Sequence, residues 1–168
     1  MTRIDSHCIH TEAGPIHSTL YAHLAEKCKG ELSVVCMLTT LGDEFERVIQ
    51  RLDQLSAQYT VDAFGSEMVE EITDLLELEW KKRIRTDGLC STRRFSPGYC
   101  DWDLVGQDMI FSALDASRIS VKLNEYHVII PSKSISAVAV IAREVPDETP
   151  CAFCRKQNCI WRRESHTD

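Results

Sequence analysis

Residues 119–141 read Ile-Ser-Val-Lys-Leu-Asn-Glu-Tyr-His-Val-Ile-Ile-Pro-Ser-Lys-Ser-Ile-Ser-Ala-Val-Ala-Val-Ile. Three segments of this stretch, 119–123, 126–130 and 134–141, are rich in β-branched and aromatic residues, which favour strands. They are separated by Asn124-Glu125 and by Pro131-Ser132-Lys133, which are typical of turns. The stretch therefore predicts three consecutive antiparallel strands. A further short apolar run over 32–40 ends just before a glycine and predicts a buried strand.

Upstream of these strands the apolar spacing changes to that of helices. A first amphipathic helix is predicted from Asp43, with its apolar side formed by Phe45, Val48, Ile49, Leu52 and Leu55. A second is predicted over 61–84, with an inner side formed by Phe64, Met68, Ile72, Leu75 and Leu76. The pairs Glu77–Lys81 and Glu79–Arg83 are expected on its outer side. Gly65 costs helicity there and suggests close backbone approach.

A third, shorter helix is predicted over 104–114, opened by Asp103, with Val105, Met109, Phe111 and Leu114 turned inward. Helical and strand segments are thus grouped rather than strictly alternating. This grouping predicts an α+β fold.

Composition places the chain among ordinary folded proteins. It has 168 residues, of which 43% are hydrophobic and 27% charged, so one folded domain is expected and bulk disorder is excluded. The net charge of −7 argues against a nucleic-acid-binding surface. The sequence contains no apolar run of membrane-spanning length and no recognisable targeting signal at its start. A cytoplasmic protein without a membrane partner is therefore expected.

The two ends of the chain differ from its middle. Residues 1–30 carry four of the six histidines and only a weak helical pattern, so they predict a helical extension with a frayed start. Residues 144–168 are polar and cysteine-rich. The expected organisation is an N-terminal helical extension (1–30), a central domain (31–143) and a cysteine-rich tail (144–168).

The loop over 86–103 is the part of the chain that is densest in chemically useful groups. Pro97-Gly98 predicts a tight turn, in which glycine lets the backbone approach a neighbour or a ligand. Arg94 and Tyr99 flank that turn and offer a bidentate donor for a carboxylate and a phenol that stacks or hydrogen-bonds. Phe95, Tyr99 and Trp102 favour an ordered loop over a disordered one.

Four blocks of sequence carry a resemblance to a known family. They are the nonapeptide over 94–102 (Arg-Phe-Ser-Pro-Gly-Tyr-Cys-Asp-Trp), then Gln107 with 111–114, then 121–125, and then 131–136. In their order and spacing they resemble the activation domain of cobalamin-dependent methionine synthase, and more closely the stand-alone bacterial and archaeal relatives of that domain. The resemblance covers 32–142, about two-thirds of the chain.

The resemblance implies an α+β domain with a twisted antiparallel sheet and flanking helices, which binds S-adenosylmethionine in a shallow groove. Carried over by position, Arg94 holds the ligand carboxylate, and Tyr99 contacts the ligand and faces the corrin as the candidate catalytic residue. Pro97 and Gly98 shape the backbone that meets the ligand, and Glu70 falls on the binding-site glutamate of the helix. Glu70 also fits an ordinary exposed helix charge, and Glu67 and Glu71 are alternatives.

The family's role is to remethylate a cobalamin that has reached the inactive cob(II)alamin state, using an electron from a flavodoxin-like or ferredoxin-like donor. This sequence has no cobalamin-binding motif of the Asp-x-His-x-x-Gly kind, so cobalamin is expected only on a partner protein. Ala137 stands where the family often has glycine. A non-catalytic module that binds a corrinoid protein is the alternative interpretation, and whether the chain acts as an enzyme stays open.

The tail contains Cys151, Cys154 and Cys159 in a Cys-x2-Cys-x4-Cys spacing, which also resembles the stand-alone relatives. Cys-x2-Cys is a common chelating unit, and a tetrahedral metal needs one further ligand. Cys100 is the preferred fourth ligand because it lies in the functional loop, with Cys90 and His166 as alternatives. Zinc would fix the tail to the core, an iron–sulfur cluster would offer an electron route, and free thiols are the third possibility.

Overall fold

The architecture was obtained from a computed structural model, which describes residues 2–159 and residue 162. In chain order the strands and helices are β1 (Arg3–Asp5), β2 (Cys8–Thr11), β3 (Gly14–His17), α1 (Thr19–Glu26), β4 (Ser33–Thr40), α2 (Asp43–Gln50), α3 (Leu55–Thr86), β5 (Cys90–Ser91), α4 (Gln107–Ala113), β6 (Lys122–Leu123), β7 (Ile129–Ile130) and β8 (Ser134–Ala142). Short 3-10 turns cover Leu104–Gly106, Ala116–Ile119 and Pro150–Ala152. The predicted α+β class is confirmed.

The main sheet has three antiparallel strands in the order β4-β8-β5, so β8 lies at its centre. Side chains of a strand alternate between the two faces, and here both faces are covered. Ala137 and Ala139 face α3 together with Met37, while Val138 and Val140 belong to the main core on the other face. Small residues on the helix side of β8 let α3 lie close to the sheet.

The expected three-strand meander over 119–141 is wrong in its pairing. β6 and β7 pair only with each other, in a small separate sheet, and β8 pairs with β4 and β5. One edge of β8 pairs with β4 along 134–141, and the other pairs with β5 at 141–142 and with Phe95 at Val138.

The N-terminal segment is also different from the expectation. The predicted helix is present as α1, capped by the hydroxyl of Ser18, which accepts a 3.0 Å hydrogen bond from the Tyr21 N–H. Residues 3–17, however, form three antiparallel strands instead of a frayed start. Ile9, Ile16 and Tyr21 are completely buried, so this segment supplies part of the main core.

Helix α3 packs against the protein with a different side from the one that its apolar spacing predicts. The inner side predicted from apolar spacing is wrong, because Phe64, Ile72 and Leu75 are 62%, 41% and 54% exposed. The buried positions are Gly65, Val69, Thr73 and Glu77, spaced four residues apart. This side packs inward because it provides small residues and hydrogen-bonding groups. The Thr73 hydroxyl, for example, lies 2.6 Å from that of Thr39.

The observed surroundings of Gly65 and of the predicted inward-facing residues of the third helix agree in part with the expectations. Gly65 does mark a close approach, since the ring of Phe45 on α2 lies directly against it. Val105, expected to point inward, is half exposed, whereas Met109 on α4 is buried as expected.

Within the described residues, no helix is long and apolar enough to cross a membrane.

Candidate functional site

The loop between β5 and α4 is fixed to the core by aromatic residues. Phe95 exchanges two backbone hydrogen bonds of 2.8 Å with Val138 on β8. Its ring lies between those of Tyr21 and Trp102, at centroid distances of 4.8 and 5.5 Å. Because Phe95 and Trp102 are buried, the intervening residues form an ordered turn on a rigid base.

The predicted tight turn at Pro97-Gly98 is present. Gly98 has φ of +90°, a conformation that favours glycine, and its N–H donates a 2.8 Å hydrogen bond to the carbonyl of Trp102. The turn leaves Tyr99 44% exposed at the surface. A half-exposed tyrosine next to buried aromatic anchors is available to a ligand or a partner.

A cavity of about 210 Å³ lies beside this turn. It brings together four of the five residues predicted to bind ligand, namely Arg94, Pro97, Tyr99 and Glu70. Gly98 lies on the other side of the turn and lines a second, neighbouring cavity. The remaining walls come from α4, β7, β8 and the start of the tail, through Gln107, Ile129, Ser134, Ile135, Ser136, Thr149, Pro150 and Cys151.

The floor of the cavity contains a buried polar pair. The Ser136 hydroxyl donates a 2.6 Å hydrogen bond to the side-chain carbonyl of Gln107, and both residues are buried. Their hydrogen-bonding needs are thus partly met within the protein. This pair gives the lining of the cavity a fixed dipole.

Arg94 is the centre of an ion-pair cluster. Its side chain is only 6% exposed, and its guanidinium donates to three carboxylates of α3. The Glu77 and Glu70 oxygens lie 2.9 and 2.5 Å from the Arg94 nitrogens, and Asp74 is the third partner. Burial acts to lower the pKa of Arg94, but the hydrogen bonds that its guanidinium donates to Asp74, Glu77 and Glu70 outweigh this effect and raise that pKa.

Three carboxylates against one guanidinium leave the cluster with a surplus of negative charge. Lys81 offsets part of it through a 2.5 Å ion pair with Glu77. The carboxylates differ in access, because Glu77 is 9% exposed while Glu70 and Asp74 are 44% and 59% exposed. Sequence reasoning found Glu70 but missed Asp74 and Glu77. Their spacing of four and seven residues from Glu70 was the signal that they share one helix side.

The second cavity, of about 130 Å³, is lined by all four cysteines proposed as metal ligands, Cys100, Cys151, Cys154 and Cys159. Arg162 holds the tail around it by donating to the backbone carbonyls of Cys151, Cys154 and Lys156. Burial raises the pKa of Cys100, and the neighbouring Cys151 and Cys154 thiols raise it further. Tyr99, Cys100 and Cys151 line both cavities, which therefore share a wall.

The thiols are free, and none of the eight cysteines forms a disulfide. Across residues 2–159 and 162, no group of three or more Cys, His, Asp or Glu side chains is already arranged to hold a metal ion. Cys90, one alternative fourth ligand, is exposed on β5 and does not line this cavity. His166, the other, lies outside the described residues.

In comparisons with known proteins, no protein-family model and no curated protein sequence matches this chain.

Proposed function

We propose that this protein binds S-adenosylmethionine in the cavity beside the Pro97-Gly98 turn and serves a cobalamin-carrying partner during reductive remethylation. One observation carries the proposal. Arg94, Pro97 and Tyr99 of one loop and Glu70, which lies more than twenty residues earlier on α3, were selected by the resemblance and line a single cavity.

The charge of the site suits this ligand. S-adenosylmethionine carries a positive sulfonium and a positive ammonium group. Glu70 lines the cavity, and together with Asp74 and Glu77 its carboxylate outnumbers the positive charges of Arg94 and Lys81. The ligand carboxylate would have to displace one of these groups from Arg94. Glu70 and Asp74 are the replaceable partners because they are about half exposed, whereas Glu77 is buried.

The reaction served would take place on the partner's cobalamin. One electron from a flavodoxin-like or ferredoxin-like donor reduces cob(II)alamin to cob(I)alamin. Its cobalt attacks the methyl carbon of the sulfonium, the carbon–sulfur bond breaks, and methylcobalamin and S-adenosylhomocysteine result. In this proposal the present chain orients the sulfonium through its cavity, and Tyr99, at the exposed rim, meets the corrin.

Isothermal titration calorimetry with S-adenosylmethionine tests the binding step. We expect the parent to bind the ligand, and Tyr99→Ala to bind it with an affinity about 3- to 30-fold lower, the usual range for loss of an aromatic–cation contact. Tyr126→Ala is the matched control, since Tyr126 is 70% exposed and does not line the cavity. Absence of binding by the parent, or equal loss in both variants, contradicts the proposal.

A methyl-transfer assay tests the second step. The protein is mixed with S-adenosylmethionine, a chemical reductant and a corrinoid protein in its cob(II)alamin form, and methylcobalamin is followed by its absorption spectrum. Formation that depends on the present protein supports a role in reactivation. Binding of the ligand without any methyl transfer favours instead the alternative, a non-catalytic module that binds a corrinoid protein.

A second proposal concerns the four thiols. We propose that Cys100, Cys151, Cys154 and Cys159 bind zinc or an iron–sulfur cluster, because they line one cavity although about fifty residues separate Cys100 from the others. Thiolates are the ligands that both groups prefer. Since the side chains are not already in a ligand arrangement, binding would draw them inward and fix the tail to the turn that carries Tyr99.

Metal analysis of the purified protein tests this site. We expect zinc or iron in the parent, and its loss in Cys154→Ala but not in the matched variant Cys90→Ala, because Cys90 is exposed outside the cavity. Absorption near 400 nm selects an iron–sulfur cluster, and its absence with bound zinc selects zinc. A protein that contains no metal, or an unchanged content in Cys154→Ala, contradicts the site.

A further inference from the structure

Helix α3 leaves one side unpartnered within the described residues, and that side is apolar. We define the outer stripe as Phe64, Met68, Ile72, Leu75, Leu76 and Leu78. Phe64, Leu75 and Leu78 are each about half exposed or more, at 62%, 54% and 49%. An exposed apolar area of this kind on a folded protein commonly marks an interaction surface.

All residues of the outer stripe except Ile72 and Leu76 belong to a series with the spacing of a helix-pairing seam. Positions 61, 64, 68, 71, 75, 78 and 82 alternate in steps of three and four, which is the a/d pattern of a coiled coil. All but two of these positions hold Val, Phe, Met or Leu, and the exceptions are Glu71 and Lys82. The pattern favours another helix as the occupant of this side.

The charges on the exposed side of α3 are divided along its length. Glu67 and Glu71 lie in the middle of the helix, whereas Lys82, Arg83 and Arg85 lie at its carboxyl end, and all five residues are exposed. The exposed Glu79 also lies in the carboxyl-terminal part and forms a 2.8 Å ion pair with Lys82, but the three basic residues outnumber it there. A parallel pair of such helices would place like charges side by side. An antiparallel pair places the acidic part of each helix near the basic end of the other.

We propose that α3 pairs antiparallel with α3 of a second copy of this chain, with Leu75 opposite Leu78. The same register places Glu71 opposite Lys82, because the pair Leu75–Leu78 and the pair Glu71–Lys82 are both centred between residues 76 and 77. A two-fold axis then repeats each contact, as in other isologous dimers. The opposite charges beside the leucine contacts would fix orientation and register.

The position of the seam is consistent with the rest of the molecule. Helix α2 packs near the amino-terminal part of α3 through Phe45 and Gly65, so the carboxyl-terminal part is the more accessible half. Glu70 and Glu77 lie on the side of α3 that faces Arg94. The dimer therefore leaves the cavity beside the Pro97-Gly98 turn open in each copy.

Sedimentation equilibrium of the full chain at micromolar concentrations tests the proposal. We expect a dimer, and Leu75→Glu should raise its dissociation constant at least about 10-fold, since it buries a charge at the centre of the seam. The matched control is Leu55→Glu, at the exposed start of the same helix and outside the seam, which should leave the dimer unchanged. A monomeric parent, or a dimer that Leu75→Glu does not weaken, overturns the proposal.

A charge-reversal series tests orientation and register separately. Glu71→Lys and Lys82→Glu should each weaken the dimer by placing like charges opposite one another, and the double variant should restore it. Far-ultraviolet circular dichroism checks that every variant stays folded. If the single variants weaken the dimer and the double variant does not restore it, antiparallel pairing in this register is refuted.

Discussion

The guanidinium of Arg94 donates a 2.9 Å hydrogen bond to the carboxylate of Glu77, and both side chains are more than nine-tenths buried. The pair joins the loop that carries the Pro97-Gly98 turn to the inner side of α3. A buried charge that loses its partner is strongly destabilising, because its desolvation is no longer compensated. Arg94 therefore stabilises the fold whether or not it also contacts a ligand.

Replacement of Arg94 should thus affect stability as well as binding. We expect Arg94→Met to lower the free energy of unfolding by about 2–4 kcal/mol, since Glu77 is left with Lys81 alone. Urea unfolding followed by circular dichroism measures this change in the free energy of unfolding. Arg93→Ala serves as control, because Arg93 is exposed and should change stability by less than about 0.5 kcal/mol. An unchanged midpoint in Arg94→Met would show that the pair is dispensable.

The N-terminal strands should be necessary for folding. Ile16 is completely buried in the main core, so Ile16→Ala should cost about 2–5 kcal/mol of stability. Val105→Ala, at a half-exposed position, should cost far less. A chain that lacks residues 1–17 should fail to show cooperative thermal unfolding. A truncated chain that unfolds cooperatively near the parent midpoint would show that residues 18–168 form an independent core.

Gly65 offers a test of the contact between α2 and α3. Glycine to alanine within a helix usually stabilises by about 1 kcal/mol, but here the new methyl group would overlap the ring of Phe45. We expect Gly65→Ala to destabilise the parent and to stabilise a Phe45→Ala background. Unfolding free energies of the four chains form a double-mutant cycle. The same sign in both backgrounds would contradict the close contact.

The pH dependence of stability should reveal the half-buried thiol of Cys28. Burial raises its pKa from 9.0 to about 11. The neutral thiol is favoured in the folded state, so this contribution to stability is fully present below pH 9.0 and is lost as the pH rises towards 11. Urea midpoints measured across this range should fall less in Cys28→Ala than in the parent. Equal falls would show that Cys28 does not contribute.

The sequence by itself determined the local features of this protein. Apolar spacing and turn residues predicted strands over 32–40 and 134–141, close to the observed β4 and β8, and also the helices, because such patterns depend on neighbouring residues. Pro97-Gly98 predicted the tight turn, and Gly65 the close approach, since glycine is needed where a side chain cannot fit. The resemblance selected Arg94, Pro97, Tyr99 and Glu70, which the fold brings together.

Only the tertiary structure decided which surfaces meet. The apolar side of α3 was expected to face the core, but the side with Thr73 and Glu77 does so, because β4 and Arg94 supply hydrogen-bonding partners for it. Asp74 and Glu77 join the site through contacts with a residue about twenty positions away in the chain. Long-range pairing also gave β8 the neighbours β4 and β5, whereas β7 pairs with β6. Local patterns do not encode such choices, since they depend on which distant groups satisfy one another.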